Sequence, residues 1–233
     1  MPLILKNRNP NLIEWMDRLD CDKELLFNTY KQFKTINRLL SGWDKIYRDF
    51  IKPHLIHSGE PTSILDIGCG AGDILRYIRD LAEKDGFKLT LTGIDPDPRA
   101  LEYIEQQSLS EEIRFHPVRS EELIKEGRQF DIVISNHLLH HLNREEMSAI
   151  SKDAAQLARK TVIFSDIERS DIGYAAFNLF APLLFRNSYI VRDGLISIKK
   201  SYTKKELNRE FPEPWIVQRQ FPFRLLAILK KEP

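Results

Sequence analysis

Three glycines stand at alternate positions, Gly68, Gly70 and Gly72, in the stretch SILDIGCGAGDI of residues 63–74. An aspartate precedes them, Asp66, and another follows, Asp73. Glycines let a backbone turn sharply and approach a ligand with no Cβ in the way. Between a parallel strand and its helix, such a loop lies at the carboxyl edge of the sheet, where open α/β folds bind ligands. A dinucleotide fingerprint would put its third small residue at position 73. Asp73 stands there instead, a poor neighbour for pyrophosphate at a helix N-terminus. A phosphate-cradling P-loop fails too, because no Gly-Lys-Ser/Thr follows.

Asp95, at the end of the next strand-like run, can accept both hydroxyls of a ribose. Acids before and behind the loop suit a cation better than phosphate. Ribose with positive charge and no phosphate describes S-adenosylmethionine. A further cluster, His137, His140 and His141 in NHLLHHL, has no carboxylate or cysteine nearby at ligand spacing, so no metal is expected.

The elements that must position these groups follow from periodicity. Residues 22–57 show helical spacing, with Leu26, Tyr30, Phe33, Ile36 or Asn37 and Leu40 near one face. From Thr62 strand and helix alternate: SILDI, a helix from about Asp73 to Glu83, KLTLTGID, and a helix that Pro98 opens. EIRFHPV, FDIVISN and TVIFSDI continue as strands, with helices SEELIKEG and REEMSAISKDAAQLARK between them. PWIVQRQF and FRLLAILKK, parted at Pro222, predict a terminal hairpin on the sheet edge. The expected fold is α/β: a Rossmann-like, doubly wound, mostly parallel seven-stranded sheet with a C-terminal antiparallel hairpin and extra N-terminal helices. The expected organisation is a helical cap segment, 1–59, and a ligand-binding domain, 60–233, with a cap insertion at about 170–200.

The chain has 233 residues, 42% of them hydrophobic, and a net charge of +1, enough for one good core and with no overall field for nucleic acid or anionic lipid. Residues 186–233 carry eleven Lys/Arg against five Asp/Glu, a candidate local basic face. Cys21 and Cys69 suggest no disulfide framework, and the N-terminal stretch lacks a signal-peptide core, so a reducing, cytoplasmic setting is expected. The apolar run from Tyr174 to Phe185, interrupted by Asn178 and Pro182, is about half the ~20 residues a membrane span needs and reads as a buried or capping helix.

LDIGCGAGD, LTGIDPDPRALEYI and FDIVISNHLLHHL, in this order and spacing, resemble the class I S-adenosylmethionine-dependent methyltransferases over residues 60–168. The flanks more loosely resemble small-molecule enzymes of the ubiquinone/menaquinone and polyketide-tailoring type. The resemblance implies S-adenosylmethionine as cofactor, with Gly68, Cys69, Gly70 and Gly72 under its methionine part and Asp66 ordering that loop. Asp95 would hold the ribose, Pro96 and Asp97 would line the adenine side, and Ser135, Asn136 and His137 would lie beside the methyl. Many members carry an acid after the third strand for the adenine amino group. Arg119 stands here; it offers stacking on the adenine ring, and Ser120, Glu121 or a backbone carbonyl is left to accept.

The resemblance also implies a cover over the acceptor, from Tyr30, Phe33, Asn37 and Trp43 on one side and Phe177, Phe180 and Leu184 on the other. Arg192 and Asp193 either bind substrate or form a turn before Gly194. A hydroxyl acceptor must lose its proton, and a histidine is a natural base. His140 is the first candidate and His137 the second. LHHL also reads as the opening of the next helix. The favoured function is methylation of a small apolar acceptor by a monomer or homodimer, with no nucleic-acid partner and no stable membrane insertion. An RNA or protein methyltransferase and a non-catalytic cofactor-binding module are the alternatives.

Overall fold

The computed structural model describes residues 2–57, 59–107 and 113–231. The parallel strands form where apolar runs alternate with helices: β1 Thr62–Ile67, β2 Leu89–Ile94, β3 Ile113–His116, β4 Phe130–Asn136 and β5 Ala158–Ile167. Two antiparallel strands follow, β6 Ile216–Gln220 and β7 Arg224–Lys230, and the order across the sheet is β3-β2-β1-β4-β5-β7-β6. Strand order reverses between β1 and β4, which creates the crevice where ligands bind in such sheets. Glu112, expected to open β3, lies outside the described residues.

Alternate strand residues face opposite sides. On one side Ile64, Ile132, Ile134, Ile163 and Leu226 meet Ile74, Leu75 and Ile78 of α3 (Asp73–Lys84). Trp43 and Ile46 of α2 (Trp43–Ile46) join them, fully buried. Burying a side chain like Ile46 contributes roughly 1.5–3 kcal/mol, so the N-terminal helices share the core of the sheet. On the other side Leu65, Val133, Val162, Phe164 and Leu225 meet α6 (Arg144–Leu157) and α9 (Lys204–Glu210).

Local signals set the helix ends. The Asp22 carboxylate accepts from Leu25 N at the start of α1 (Lys23–Leu40). Pro98 begins α4 (Pro98–Gln106) behind its Asp97 cap, and the short α5 (Ser120–Lys125) follows β3. Asn143 and Glu146 cap α6 reciprocally, as Thr203 and Glu206 cap α9. Leu139–His141 is a single tight turn, so LHHL precedes α6 rather than opening it.

The structure corrects three further expectations. β5 begins at Ala158, so ARK belongs to the strand and not to α6. No turn precedes Gly194: α8 (Ile190–Lys200) runs through it, because the Phe177 ring sits 2.4 Å from where a Cβ would project. The basic tail is not one surface, since Lys200 and Arg224 are buried and Arg219 pairs with Glu168. The expected terminal hairpin is present on the sheet edge, with its second strand, β7, inside against β5 and β6 outermost.

The apolar run becomes α7 (Asp171–Leu184), which covers the crevice while leaving Ile172, Leu179, Leu183 and Leu184 exposed. Among the described residues no helix is long and apolar enough to cross a membrane.

Candidate active site

The strand ends converge on a cavity of about 540 Å³. Its floor is the β1–α3 loop, and its roof comes from α1, α7, α8 and the N-terminal segment around Met16. Gly68, Gly70 and Gly72 have φ of 71°, 49° and 72°, the left-handed region that favours glycine. A Cβ on Gly70 would meet nothing within 4 Å, whereas one on Gly72 would lie 2.4 Å from the Phe115 ring. Gly70 therefore faces the space a ligand would use, and Gly72 permits packing outside the cavity.

Asp66 lines the cavity, is 1% exposed, and neither carboxylate oxygen has a hydrogen-bond partner. Burial, helped by Asp73 and Asp95, raises its pKa well above the ordinary range. An unpartnered buried acid is costly unless a donor or cation arrives to meet it. Asp95 accepts from Gly70 N and Asp97 N, both at 2.9 Å, which ties the second strand's end to the glycine loop. Its pKa is also raised, mainly by burial. Asn37 of α1 donates to Asp73 at 2.9 Å, fixing the far end of the loop. Cys69, Pro96, Asp97, Asn136 and His137 line the same cavity.

A cleft beside Gly70 and Asp95 is lined by Ala100, Leu101, Phe115, His116 and Pro117. The expected adenine contacts Ser120 and Glu121 lie outside both spaces. Ser120 Oγ instead bonds the Asp153 carboxylate at 2.7 Å, and Glu121 is exposed. His116 Nε2 is buried without a partner.

The apolar half of the cavity is walled by Phe33 and Ile36 of α1, Phe177 and Phe180 of α7, and Ile190 and Ile198 of α8. Tyr30, Asn37 and Leu184 also line the cavity. Arg192 does not, because its guanidinium stacks 4.3 Å from the Trp15 ring outside the cavity. Trp43 is core, donating from its indole to Asn136 at 3.1 Å.

His140 is not poised as a base. It is 1% exposed, with Nδ1 2.7 Å from Asp166 Oδ1 and Nε2 3.2 Å from Glu14 Oε1. Burial alone would lower its pKa, but the two carboxylates more than offset this and push it up to about 9. Glu14 is held down to about 2 and Asp166 below the usual range, burial being outweighed by the imidazolium. At neutral pH His140 is a clamped cation with no lone pair to take a proton. His137 is the opposite: burial, then Arg224, pull its pKa far down, so it is neutral.

The carboxylates missing from the neighbouring sequence arrive from far along the chain. Glu14–His140–His141 and His137–His140–Asp166 each bring three potential metal-ligand atoms within 4.8 Å of one another. Both groups already hold protein cations: protonated His140 is common to them, and Lys200 Nζ lies 3.4 Å from Glu14. They are therefore built as ion-pair networks. Sequence reading missed Glu14, Asp166, Lys200 and Arg224. Only Asp166, at a strand end like Asp66 and Asp95, left a signal.

This fold, with an acid-flanked glycine loop and a strand-end aspartate beneath a capped cavity, is the fold of the class I S-adenosylmethionine-dependent methyltransferases. Residues 64–161 match the family model described as a methyltransferase domain. No curated protein matches the chain. Among solved structures it is similar to the plantazolicin methyltransferase BpumL in complex with SAH, with TM-score 0.63 and 16% identity over 94% of this chain and 93% of that one. BpumL with a pentazolic desmethylPZN analogue and SAH gives TM-score 0.56 and 14% identity over 91% and 96%. The methyltransferase domain of bacterial CtHen1 gives 0.55 and 16% over 85% and 100%. At these identities the likeness is one of fold.

Proposed function

We propose that the chain methylates a small apolar acceptor, by O-methylation of a phenolic, quinol or polyketide-like compound. The observation that carries this reading is the continuity of one cavity from Asp66 and Gly70 to the walls of Phe33, Phe177 and Phe180. Such a chamber buries an aromatic acceptor and excludes water, which is most of what an in-line methyl displacement asks of a protein.

In this reading the unpartnered Asp66 meets the cofactor's amino group, and Asp95 meets its ribose hydroxyls. Cys69 and Gly70 lie under the methionine part, Pro96 and Asp97 flank the ribose, and the cleft at Phe115, His116 and Pro117 takes the base. The cofactor supplies a methyl group on a sulfonium sulfur. Residues 1–59 and about 170–200 act as the cap, with Tyr30, Phe33, Asn37 and Phe177 against the acceptor. BpumL, whose fold is similar, is solved in complex with a pentazolic desmethylPZN analogue and SAH, a precedent for a second ligand alongside the cofactor product on this fold. A panel of phenols, quinols and matching amines, incubated with S-adenosylmethionine and read by mass spectrometry, tests it. Methyl ethers are expected, and exclusive N-methylation would overturn the O-acceptor assignment.

A further inference from the structure

Arg224 opens β7, is 3% exposed and lines the cavity. A guanidinium carries five N–H donors and a full charge. Three of these are used: Nη1 meets His137 Nε2 at 3.0 Å, and Nη2 donates to Asn136 Oδ1 at 2.6 Å and Ser165 Oγ at 2.9 Å. Nε has no partner. These acceptors are all neutral, and among the described residues no carboxylate lies within ion-pair distance of the group. Asp166 is the acid whose charge reaches Arg224, but its two oxygens are taken by His140 Nδ1 and by the His140 and Ile167 amides.

A buried cation without a counter-ion is costly, and a protein usually avoids it. Burial lowers the Arg224 pKa only to about 10, so the charge persists at neutral pH. Because a guanidinium only donates, His137 Nε2 must accept and its ring proton must sit on Nδ1. His137 holds φ at 62°, a left-handed conformation rare for a residue with a side chain, at the end of β4. Neither histidine offers a free lone pair in this arrangement, for His140 is protonated and His137 Nε2 is engaged. Neither of these two histidines can serve as the base, and Arg224 stands in the cavity wall with no carboxylate partner of its own among the described residues.

We propose that Arg224, with His137 beside it, binds an anionic oxygen of the acceptor, which enters as a phenolate-type group whose proton is lost to solvent. This rests on the acceptor chamber proposed above and names the ionisation state and the residues that select it. An apolar wall with one embedded guanidinium favours a delocalised anion over a neutral ether or a cationic amine.

The test uses 4-nitrophenol, whose absorbance reports its ionisation, and 4-nitroanisole, its neutral methyl ether, on SAH-loaded protein. Wild type, Arg224→Gln and Arg224→Lys are compared, with SAH affinity by calorimetry in each. The nitrophenol is expected to titrate at least about one unit lower when bound than when free, a tenfold preference for the phenolate. The shift is expected to vanish in Arg224→Gln and to persist in part in Arg224→Lys, with SAH and nitroanisole affinities nearly unchanged. Arg224→Lys also keeps the test decisive if the Gln variant fails to fold. Nitroanisole binding with no shift for nitrophenol would overturn the proposal while leaving the apolar chamber standing. Failure of both to bind would overturn the chamber reading and the proposal with it. A tenfold loss of SAH affinity with the phenolate preference intact would overturn the proposal and assign Arg224 to the cofactor's carboxylate.

Discussion

Replacing Asp66 by Asn should make the unliganded protein more stable and the cofactor complex weaker. Asp66 is buried with both oxygens unpartnered, so at neutral pH folding pays to desolvate a carboxylate or to protonate it. Leaving such a group unsatisfied costs about 1–3 kcal/mol, more when it is charged, and a neutral amide of the same shape relieves part of that. With about 2 kcal/mol relieved, a chain of this length gains roughly 4–8 °C in Tm. The hydrogen bond to the cofactor's ammonium, about 1.5–3 kcal/mol, is lost on the other side, weakening SAH binding roughly 10- to 150-fold. At 100 times the wild-type Kd, SAH stabilises wild type by about 2.7 kcal/mol; a variant bound 50-fold more weakly gains only about 0.6. Thermal unfolding with and without SAH reads both effects at once. Undiminished stabilisation by SAH in the variant would refute the assignment of Asp66 to the ammonium. A fall in apo Tm would refute the claim that this carboxylate is an unmet cost.

Other predictions follow from the same geometry. His140 has a folded pKa raised to about 9 from an unfolded value near 6.5, so its contribution is complete below about pH 6.5 and is lost as pH rises towards 9. Urea unfolding across that window should show the decline in wild type and a flatter profile in His140→Gln; parallel profiles would dismiss the imidazolium clamp. Gly72→Ala forces a Cβ to 2.4 Å from Phe115 at φ 72° and should lower Cm sharply, whereas Gly70→Ala meets open space and should cost only about 1–2 kcal/mol while abolishing SAH binding. The reverse ranking in calorimetry and unfolding would show that the loop is oriented otherwise. Gly194→Ala pushes on the Phe177 ring, which lines the acceptor chamber, and should raise the acceptor KM several-fold with SAH affinity unchanged. An unaltered KM would remove Phe177 from the acceptor wall.

The parallel sheet was legible because its strands are short apolar runs separated by helical periods. Asp66, Gly70 and Asp95 were legible because strand ends and glycine spacing are local signals. Gly194 concealed α8, since its packing reason, the Phe177 ring, lies on another helix. Glu14 stands in an unpatterned N-terminal stretch and meets His140 only through the tertiary fold. Arg224 reads as an ordinary cation in an edge hairpin, and only the insertion of β7 beside β5 carries it inward to Ser165 and Asn136. The same long-range pairing changed the reading of His140, whose chemistry is set by Asp166 and Glu14 rather than by its neighbours in sequence.

The most direct test of methyl transfer to a small apolar acceptor follows the methyl group itself. Protein, methyl-labelled S-adenosylmethionine and an extract of the source cells are incubated together, and label is counted in organic-extractable, RNA and protein fractions, with Asp95→Ala as the control. Label is expected in the organic fraction and is expected to disappear in the variant. Label confined to RNA or protein would contradict a small apolar acceptor, and label in no fraction despite measured cofactor binding would contradict transfer to any acceptor in that extract.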